Sequence, residues 1–458
     1  MSDIEAWLLA HEAEGIETLK AFCRIPSVST DPAFAGGIAD AARFVADQLA
    51  QAGFRAVEII ATGGHPCVMA EWCEVPGAPT VLIYGHYDVQ PPDPLEKWHS
   101  APFEPEIRNG RLYARGVSDD KGPLLIPILV AAAFKAVRGG LPLNVKVLIE
   151  GEEESGSPHF APTVARLRDR LVCDLVVSAD GAMWRADLPS VTVASRGLAA
   201  LEVTVHGAAK DLHSGRHGGS APNPVQALAR MLASLHDAGG NVVVAGFADA
   251  ALPPDPAIRA AISGVNFDAA RYFDDLGAAQ PVPLPTGAAL LTQQWLIPTL
   301  EFNGISGGYA GPGTKTVIPA SASAKITCRL VAGQVPADVV AAITTHLQRV
   351  LPTGFRMEIT AHGPGSAAFA LDPALPALKV AEAILAEVLG AWPLRVAMGA
   401  TIPIGEVFAR HLGVGTIFFS FATSDEDYHA PNEHFRLSSF RTGQIAWARL
   451  FQRLAGGV

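Results

Sequence analysis

The sequence predicts an α/β protein with a largely parallel sheet flanked by helices, and an α+β unit inserted within the same chain. The 458 residues exceed what one hydrophobic core usually organises, which indicates two domains or one domain with a large insertion. Short unbroken apolar runs at 81–84, 145–149 and 175–177 follow helical patterns, as strands buried on both faces do. After about residue 194, apolar residues alternate with polar ones, which is typical of half-buried strands.

The two ends of the chain carry the predicted helix-flanked sheet. Apolar side chains recur at helical spacing over residues 3–23 and 38–52, which predicts amphipathic helices there. The cluster Asp119-Asp120-Lys121-Gly122 opens a further helix. Near the other end, a fourth buried strand is predicted at 416–419, and a last helix at 440–454.

The middle of the chain has a different pattern. Apolar residues alternate with polar or small ones over 198–206, 326–330 and 355–361, which predicts strands with one covered face. Helical patterns at 224–237 and 337–351 separate these strands. Together they indicate a compact α+β unit.

The Gly and Pro content of residues 238–315 predicts long loops between these elements. We expect the chain to divide at the boundaries of the inserted unit. The first domain then comprises residues 1–195 and 366–458, and the inserted domain comprises residues 196–365.

Composition excludes several classes of protein. With 34 Lys and Arg against 45 Asp and Glu, the formal charge is −11, which disfavours nucleic acid and anionic membrane surfaces as partners. The longest uncharged apolar stretch, 123–134, is too short to span a bilayer, and the acidic start does not resemble a signal peptide. Five scattered cysteines with no C-x-x-C pair predict reduced thiols and a cytoplasmic location.

Histidines and carboxylates follow each predicted strand of the helix-flanked sheet. The carboxyl ends of parallel strands share one edge, so these side chains are expected to lie together. Crowded anions repel one another and are costly to bury, and a bound cation removes that cost. The residues concerned are His86, Asp88, Glu152, Glu153, Glu154, Asp180 and His429, and Asp119 joins them from the cluster that opens a helix.

These donor types predict the metal and its chemistry. Imidazole and carboxylate ligands without thiolate favour Zn²⁺, with Mn²⁺ and Co²⁺ as alternatives, over Ca²⁺ or Mg²⁺. Enough ligands are present for two ions, which at about 3.5–4 Å apart could hold a bridging hydroxide by lowering the pKa of water towards ~7. A carboxylate that is not a ligand would act as general base, and the pattern alone does not choose among Glu152, Glu153 and Glu154.

Five motifs resemble those of the co-catalytic zinc peptidases and occur in the same order along the chain. That family contains carnosinase-type dipeptidases, glutamate carboxypeptidase, aminoacylase and succinyl-diaminopimelate desuccinylase. The resemblance covers nearly the whole chain, and the segments at 119–123 and 315–319 look most like the carnosinase-type dipeptidases. The motifs are His86-Tyr87-Asp88-Val89-Gln90-Pro91, Asp119-Asp120-Lys121-Gly122-Pro123, Glu153-Glu154-Ser155-Gly156-Ser157, Asp211-Leu212-His213-Ser214-Gly215 and His429-Ala430-Pro431-Asn432-Glu433.

The resemblance implies a role for each residue of the cluster. Glu153 would be the general base, and the peptide bond between Asp119 and Asp120 would be cis. Asp88 would hydrogen-bond the ring of His86 and fix its tautomer. The implied metal ligands are His86 and Asp180 for one ion, Glu154 and His429 for the other, and Asp119 as the bridge.

The resemblance also makes the first domain a metallopeptidase domain and the inserted domain a lid that forms a homodimer. His213 would reach across that dimer to stabilise the oxyanion. Arg329 would bind the substrate carboxylate, for which a guanidinium fork is suited, and Thr316 and Thr401 would add hydrogen bonds. The sequence differs from the family pattern near the expected substrate pocket, because it has Ala397-Met398 where many relatives have Arg-Glu.

The implied activity is hydrolysis of the amide bond of dipeptides or short peptides. The alternatives are an N-acyl-amino-acid amidohydrolase and a non-catalytic metal-binding scaffold. A serine hydrolase is rejected, because Gly304-Ile305-Ser306-Gly307-Gly308 matches G-x-S-x-G but is not followed by a helical pattern. A phosphate loop at 308–316 is rejected because a strand pattern follows its lysine.

Overall fold

The computed structural model describes residues 2–399 and 402–457, and the chain folds into two compact units. The first unit comprises Met1–Val193, Leu371–Val396 and Val407–Val458, and the second comprises Ala194–Ala370 and Ala397–Glu406. Residues 397–406, grouped by the sequence with the first domain, are thus part of the second unit. The catalytic and lid roles assigned to the two domains remain predictions.

Helices and strands are interspersed along the chain. The helices in the described residues are α1 (Asp3–Ala10), α2 (Glu12–Cys23), α3 (Ala35–Ala52), α4 (Gly122–Arg138), α5 (Phe160–Arg166), α6 (Ser214–His217), α7 (Pro224–Ala233), α8 (Pro256–Gly264), α9 (Ala269–Asp275), α10 (Gly287–Leu296), α11 (Pro336–Val350), α12 (Pro376–Leu389), α13 (Pro403–Leu412) and α14 (Leu437–Leu454). The strands are β1 (Arg55–Ile60), β2 (Cys67–Trp72), β3 (Thr80–His86), β4 (Glu106–Arg108), β5 (Arg111–Tyr113), β6 (Asn144–Glu150), β7 (Leu175–Ser178), β8 (Ala182–Met183), β9 (Ser190–Ser195), β10 (Gly197–His206), β11 (Leu212–His213), β12 (Thr299–Gly307), β13 (Val317–Ile318), β14 (Ser321–Leu330), β15 (Arg356–Ala361), β16 (Phe369–Ala370), β17 (Leu394–Met398), β18 (Thr416–Phe418), β19 (Ala422–Thr423) and β20 (His434–Arg436).

A six-stranded sheet forms the centre of the first unit, in the order β1-β2-β6-β3-β7-β18. β6, β3, β7 and β18 run parallel to their neighbours in this series, whereas β1 and β2 are antiparallel. The four apolar runs in the sequence lie in these parallel strands, and β3 is buried from Val81 to His86. The predicted α/β fold with a largely parallel, helix-flanked sheet is therefore confirmed.

The first predicted helix is two helices in the structure. The Ser2 hydroxyl accepts a hydrogen bond from the Glu5 amide (3.2 Å), and the Glu5 carboxylate accepts one from the Ser2 amide (2.9 Å), which caps α1. At His11 the backbone leaves the helical region (φ −107°, ψ 13°), and its ring Nδ1 lies 2.8 Å from the Trp7 carbonyl oxygen. A single helix over residues 3–23 was wrong, because periodicity does not detect a break that keeps the same apolar face.

A sharp turn connects β5 to α4 and carries Asp119. The peptide bond between Asp119 and Asp120 is cis, as the resemblance implies, and Asp119 has non-helical angles (φ −129°, ψ 92°). Gly116 has φ +79°, and a Cβ there would lie 2.2 Å from Val89 Cγ1. Only glycine therefore fits this position of the turn.

The second unit is built on a four-stranded antiparallel sheet in the order β12-β14-β10-β15. Burial alternates along all of β10, and the buried residues, such as Leu201 and Val203, join a core with Met231 of α7 and Leu347 of α11. The strands and both helices predicted for this region are present. The prediction of an α+β unit is confirmed.

The long loops predicted for residues 238–315 were wrong. This region contains α8, α9, α10 and all of β12. Asp255 caps α8, whose first residue is Pro256, and Thr286 caps α10, whose first residue is Gly287. Proline is favoured in the first helical turn, so residues that suggested loops also mark helix starts here.

Two further observations bear on the sequence predictions. Among the described helices, none combines the length and the apolar character needed to cross a membrane. All five cysteines are free thiols. The absence of disulfides agrees with the predicted reduced thiols, and the cytoplasmic location remains a prediction.

Candidate metal centre

Three adjacent parallel strands of the first unit bring the predicted site residues to one edge of the sheet. β3 ends at His86, and β6 ends next to the short 3-10 turn that contains Glu153 and Glu154. β7 ends at Ser178, two residues before Asp180. Because β3 pairs in parallel with both β6 and β7, the three strand ends lie together, as the sequence predicts.

The five predicted ligands form two overlapping groups. Within each group the candidate ligand atoms all lie within 4.8 Å of one another. Asp119 belongs to both groups, because its Oδ1 is 3.0 Å from His86 Nε2 and its Oδ2 is 3.0 Å from His429 Nε2. The groups are His86 with Asp119 and Asp180, and Asp119 with Glu154 and His429.

Asp88 lies behind His86 and also holds the turn that follows β6. The Nδ1 of His86 is 3.1 Å from the Asp88 main-chain oxygen and 3.4 Å from its Oδ1. The Asp88 carboxylate accepts hydrogen bonds from the amides of Glu153 (3.2 Å) and Glu154 (3.0 Å). Asp88 thus orients the imidazole through its main-chain oxygen and the two glutamates through its carboxylate.

Three carboxylates at this edge bind protons more tightly than usual, whereas hydrogen bonds from His429 and His86 lower the pKa of Asp119. Burial raises the pKa of Asp180 to about 6, and the nearby Asp119 carboxylate adds to the effect. Burial also raises the pKa of Glu154 and raises that of Glu153 well above its ordinary value. Negative charge is therefore crowded where water is scarce.

The two histidines of the cluster also bind protons more tightly than usual, but because of hydrogen bonds to carboxylates. Hydrogen bonds to Asp119 and Glu154 raise the pKa of His429 to about 10. Burial opposes protonation of His86, but its hydrogen bonds to Asp119 and Asp88 raise its pKa well above the usual range. Without a metal, protonated imidazoles are the counter-charges of this cluster, and a divalent cation would replace them.

The donor set fits a divalent cation. Two imidazoles and three carboxylates, with no thiolate in either group, suit Zn²⁺, Mn²⁺ or Co²⁺. Glu153 lies next to a proposed ligand yet belongs to neither group within the described residues. A carboxylate in that position is available to bind a proton rather than a metal.

Sequence reasoning missed several residues that hold the ligands. The Gln90 side-chain amide donates to Glu154 Oε2 (2.9 Å), and the Asp120 carboxylate accepts from the His86 amide (3.2 Å). Both residues lie within recognised motifs, but a motif does not show which distant group each side chain contacts.

The remaining predicted residues belong to the second unit or lie outside the described residues. His213 is exposed at the end of β11, and its Nδ1 accepts from the Gly215 amide (3.0 Å). The amide of Ser214, the next residue, donates to the main-chain oxygen of Thr316 (3.0 Å). Arg329 is half-buried on β14, and burial lowers its pKa. Thr401 lies outside the described residues.

Comparison with known proteins identifies the family. The profile described as Peptidase family M20/M25/M40 matches residues 82–453, most of the chain. The chain belongs to this peptidase family. It is therefore a hydrolase of the metallopeptidase class, as the sequence predicts, and the family implies divalent metal ions.

Related proteins match this metallopeptidase over nearly its full length. The Beta-Ala-His dipeptidase of Mus musculus is 29% identical over 97% of this chain and 94% of its own. The Cys-Gly metallodipeptidase DUG1 of Saccharomyces cerevisiae is 28% identical over 94% and 93%.

Solved structures share the fold. Human carnosine dipeptidase 1 has a TM-score of 0.82 and 28% identity, with 99% of this chain and 98% of that chain covered. The metallo-carboxypeptidase Sso-CP2 of Sulfolobus solfataricus has a TM-score of 0.86 and 30% identity, with 97% and 100% covered.

Proposed function

We propose that this metallopeptidase hydrolyses dipeptides or short peptides at a site with two divalent cations, with Zn²⁺ favoured, and with Glu153 as the general base. The observation that carries the proposal is the pair of ligand groups that share Asp119, with Glu153 beside them and in neither. Each group offers at least one imidazole and two carboxylates, which is sufficient for a catalytic Zn²⁺ with an open position.

The names of the relatives support a dipeptide substrate. The Beta-Ala-His dipeptidase and the Cys-Gly metallodipeptidase both match more than nine-tenths of this chain. Their names describe peptides of two residues with different side chains. We therefore place this protein among the dipeptidases and leave its side-chain preference to measurement.

The residues of the site would have different roles. Bound divalent cations would polarise the scissile carbonyl and lower the pKa of the attacking water from about 15.7 towards ~7. His86 and Asp180 would hold one cation, and Glu154 and His429 would hold the other. Asp119 would lie between them.

Glu153 would move the proton. A carboxylate oxygen of Glu153 takes a proton from the attacking water and delivers it to the leaving amine. Burial raises the pKa of this carboxyl well above its ordinary value, which makes it a stronger proton acceptor. Asp88 keeps Glu153 in place through its hydrogen bond to the main-chain amide.

The second unit would supply the substrate contacts. We propose that Arg329, Thr316 and Thr401 bind the substrate carboxylate, and that His213 stabilises the oxyanion across a homodimer formed by this lid. The exposure of His213 supports a role towards a partner, and sedimentation velocity of the purified chain would test the dimer. The free cysteines support a reducing, cytoplasmic location.

The test measures amino-acid release from an unblocked dipeptide and from the matching N-acetyl amino acid, with added Zn²⁺ and with chelator. We expect turnover of the dipeptide alone, abolished by the chelator. Cleavage of only the acetylated compound would instead assign an N-acyl-amino-acid amidohydrolase. Inactivity on both, with metal bound, would support the non-catalytic scaffold.

A further inference from the structure

A buried glutamate lies next to the proposed metal centre without being part of it. Glu433 is 1% exposed and follows His429 by four residues. Its Oε2 accepts hydrogen bonds from the Gly116 amide (2.7 Å) and from Arg115 Nη1 (2.7 Å). Its Oε1 accepts from the amides of Ser118 (2.9 Å) and Asp119 (3.1 Å).

We propose that Glu433 is a positioning residue that sets the place of Asp119 relative to His429 and thereby determines how tightly the site binds its cations. This inference rests on the proposed divalent-cation site. Glu433 itself is not a ligand, since both of its carboxylate oxygens are engaged by N–H donors.

The two ligands that Glu433 connects are far apart in sequence. Asp119 and His429 are separated by 310 residues, and Glu433 follows His429 by four. The strands β5 and β20 join the two segments, with His434 paired to Tyr113. Glu433 extends this connection towards the metal centre, because its main-chain oxygen accepts from the Ala114 amide (3.2 Å) while its side chain holds residues 115–119.

The turn before Asp119 depends on this carboxylate for its hydrogen bonds. Buried main-chain N–H groups that lose their acceptor cost free energy, and bonds from N–H groups to a carboxylate are stronger than neutral ones. Successive amides that point at one anion form a cradle whose shape is set by that anion. The main chain of Asp119 is therefore fixed by Glu433.

A second buried carboxylate acts on the same turn. Glu426 Oε2 accepts a hydrogen bond from the Ser118 hydroxyl (2.7 Å). Both glutamates belong to the segment that carries His429. That segment therefore binds the Asp119 turn through main-chain amides of the turn and through the Ser118 hydroxyl. A shift of Glu433 would change the distance between Asp119 Oδ2 and His429 Nε2, now 3.0 Å.

The substitution Glu433→Gln tests the proposal with little change of shape. The amide replaces an acceptor oxygen with an NH₂ donor that faces other N–H groups, and it leaves the buried Arg115 without its counter-charge. Residues that orient metal ligands typically contribute about 10–100-fold in metal affinity. We expect a loss of that size for Zn²⁺.

The chain offers a matched control. Glu382 is 2% exposed and binds Arg395 through both carboxylate oxygens (2.6 and 3.0 Å). It lies on α12, which carries none of the proposed ligands. Glu382→Gln therefore breaks a similar buried pair in the same unit, away from the metal centre.

The experiment measures the Zn²⁺ dissociation constant of the full chain by competition with a chromophoric chelator, and the melting temperature with and without Zn²⁺. Both variants are expected to melt earlier than the wild type. Only Glu433→Gln is expected to bind Zn²⁺ about 10–100-fold more weakly, with Glu382→Gln within about twofold of the wild type. Glu433→Asp keeps the charge but shortens the side chain, and it should also bind Zn²⁺ more weakly than the wild type.

The outcomes separate this inference from the function on which it rests. Wild-type affinity in both Glu433 variants would overturn the positioning role. An equal loss of affinity in Glu433→Gln and Glu382→Gln would also overturn it, since the effect would then reflect general stability. A wild-type chain that binds no Zn²⁺ would overturn the proposed function itself, and is recognised without any variant.

Discussion

Three carboxylates at the edge of the six-stranded sheet have pKa values shifted in the opposite direction from that of a glutamate on the four-stranded sheet. At the edge of the six-stranded sheet, burial raises the pKa values of Asp180, Glu153 and Glu154. On the four-stranded sheet, Glu202 binds Lys325 across neighbouring strands (2.8 Å), and this hydrogen bond lowers its pKa. Ionisation is costly for the three carboxylates at the edge of the six-stranded sheet, and it is favoured for Glu202.

The difference shows what each sheet requires from its surroundings. Glu202 has a lysine and water to balance its charge, so its ion pair needs nothing further. At the sheet edge of the first unit, the ion pairs of Asp119 are with His86 and His429, whose charge depends on pH. A cluster of this kind is stabilised by a resident cation, whereas a surface pair is not.

The largest expected effect comes from Asp119→Ala, which removes the carboxylate that belongs to both ligand groups. We expect turnover to fall by roughly 10³-fold or more, which corresponds to about 4 kcal/mol of lost transition-state stabilisation. Bound metal, measured by inductively coupled plasma mass spectrometry after desalting, should fall as well. Retention of full metal content would contradict this expectation, because metal binding at the sheet edge would then not depend on Asp119.

Glu153→Ala should separate catalysis from metal binding. Because Glu153 belongs to neither ligand group, we expect the metal content to stay at the wild-type level. Turnover should fall by roughly 10²-fold or more, the usual contribution of a general base. Initial rates with a dipeptide and metal analysis of the same sample check both statements, and unchanged turnover would remove Glu153 from the mechanism.

The raised pKa of His429 predicts that metal affinity increases with pH. Carboxylates raise this pKa to about 10 in the metal-free protein, so the ring is protonated at neutral pH and must lose that proton to bind a metal. Affinity should therefore rise about tenfold per pH unit for each proton released, between about pH 6.5 and 8. Titration calorimetry in buffers of different ionisation enthalpy counts the protons; zero release would contradict the assignment of His429 as a ligand.

The smallest effect is expected at the exposed pair of the second unit. Lys325→Ala removes the nearest charged partner of Glu202, but His362 at 3.7 Å remains and water can replace the lysine. The melting temperature should shift by less than about 2 °C, and Zn²⁺ affinity should stay unchanged. A much larger drop in melting temperature would show that this ion pair contributes more to stability than an exposed pair usually does.

Most of the fold could be predicted because its signals are local. The apolar runs of β3, β6 and β7, and the alternating burial of β10, follow directly from residue patterns. The errors at His11 and at 238–315 have the same origin. A helix break can preserve periodicity, and Pro or Gly occurs both in loops and at helix starts, so the local pattern does not separate the two cases.

The kind of site could be predicted from residue order alone, because histidines and carboxylates follow buried parallel strands whose ends meet at one edge. The contacts among these side chains depend on how the chain packs. Asp119 faces two histidines at 3.0 Å each, and Glu433 binds the turn that carries Asp119 from 314 residues away. Residue type and spacing act over a few positions, whereas the pairing of a buried carboxylate with distant N–H groups is settled only when the chain is packed.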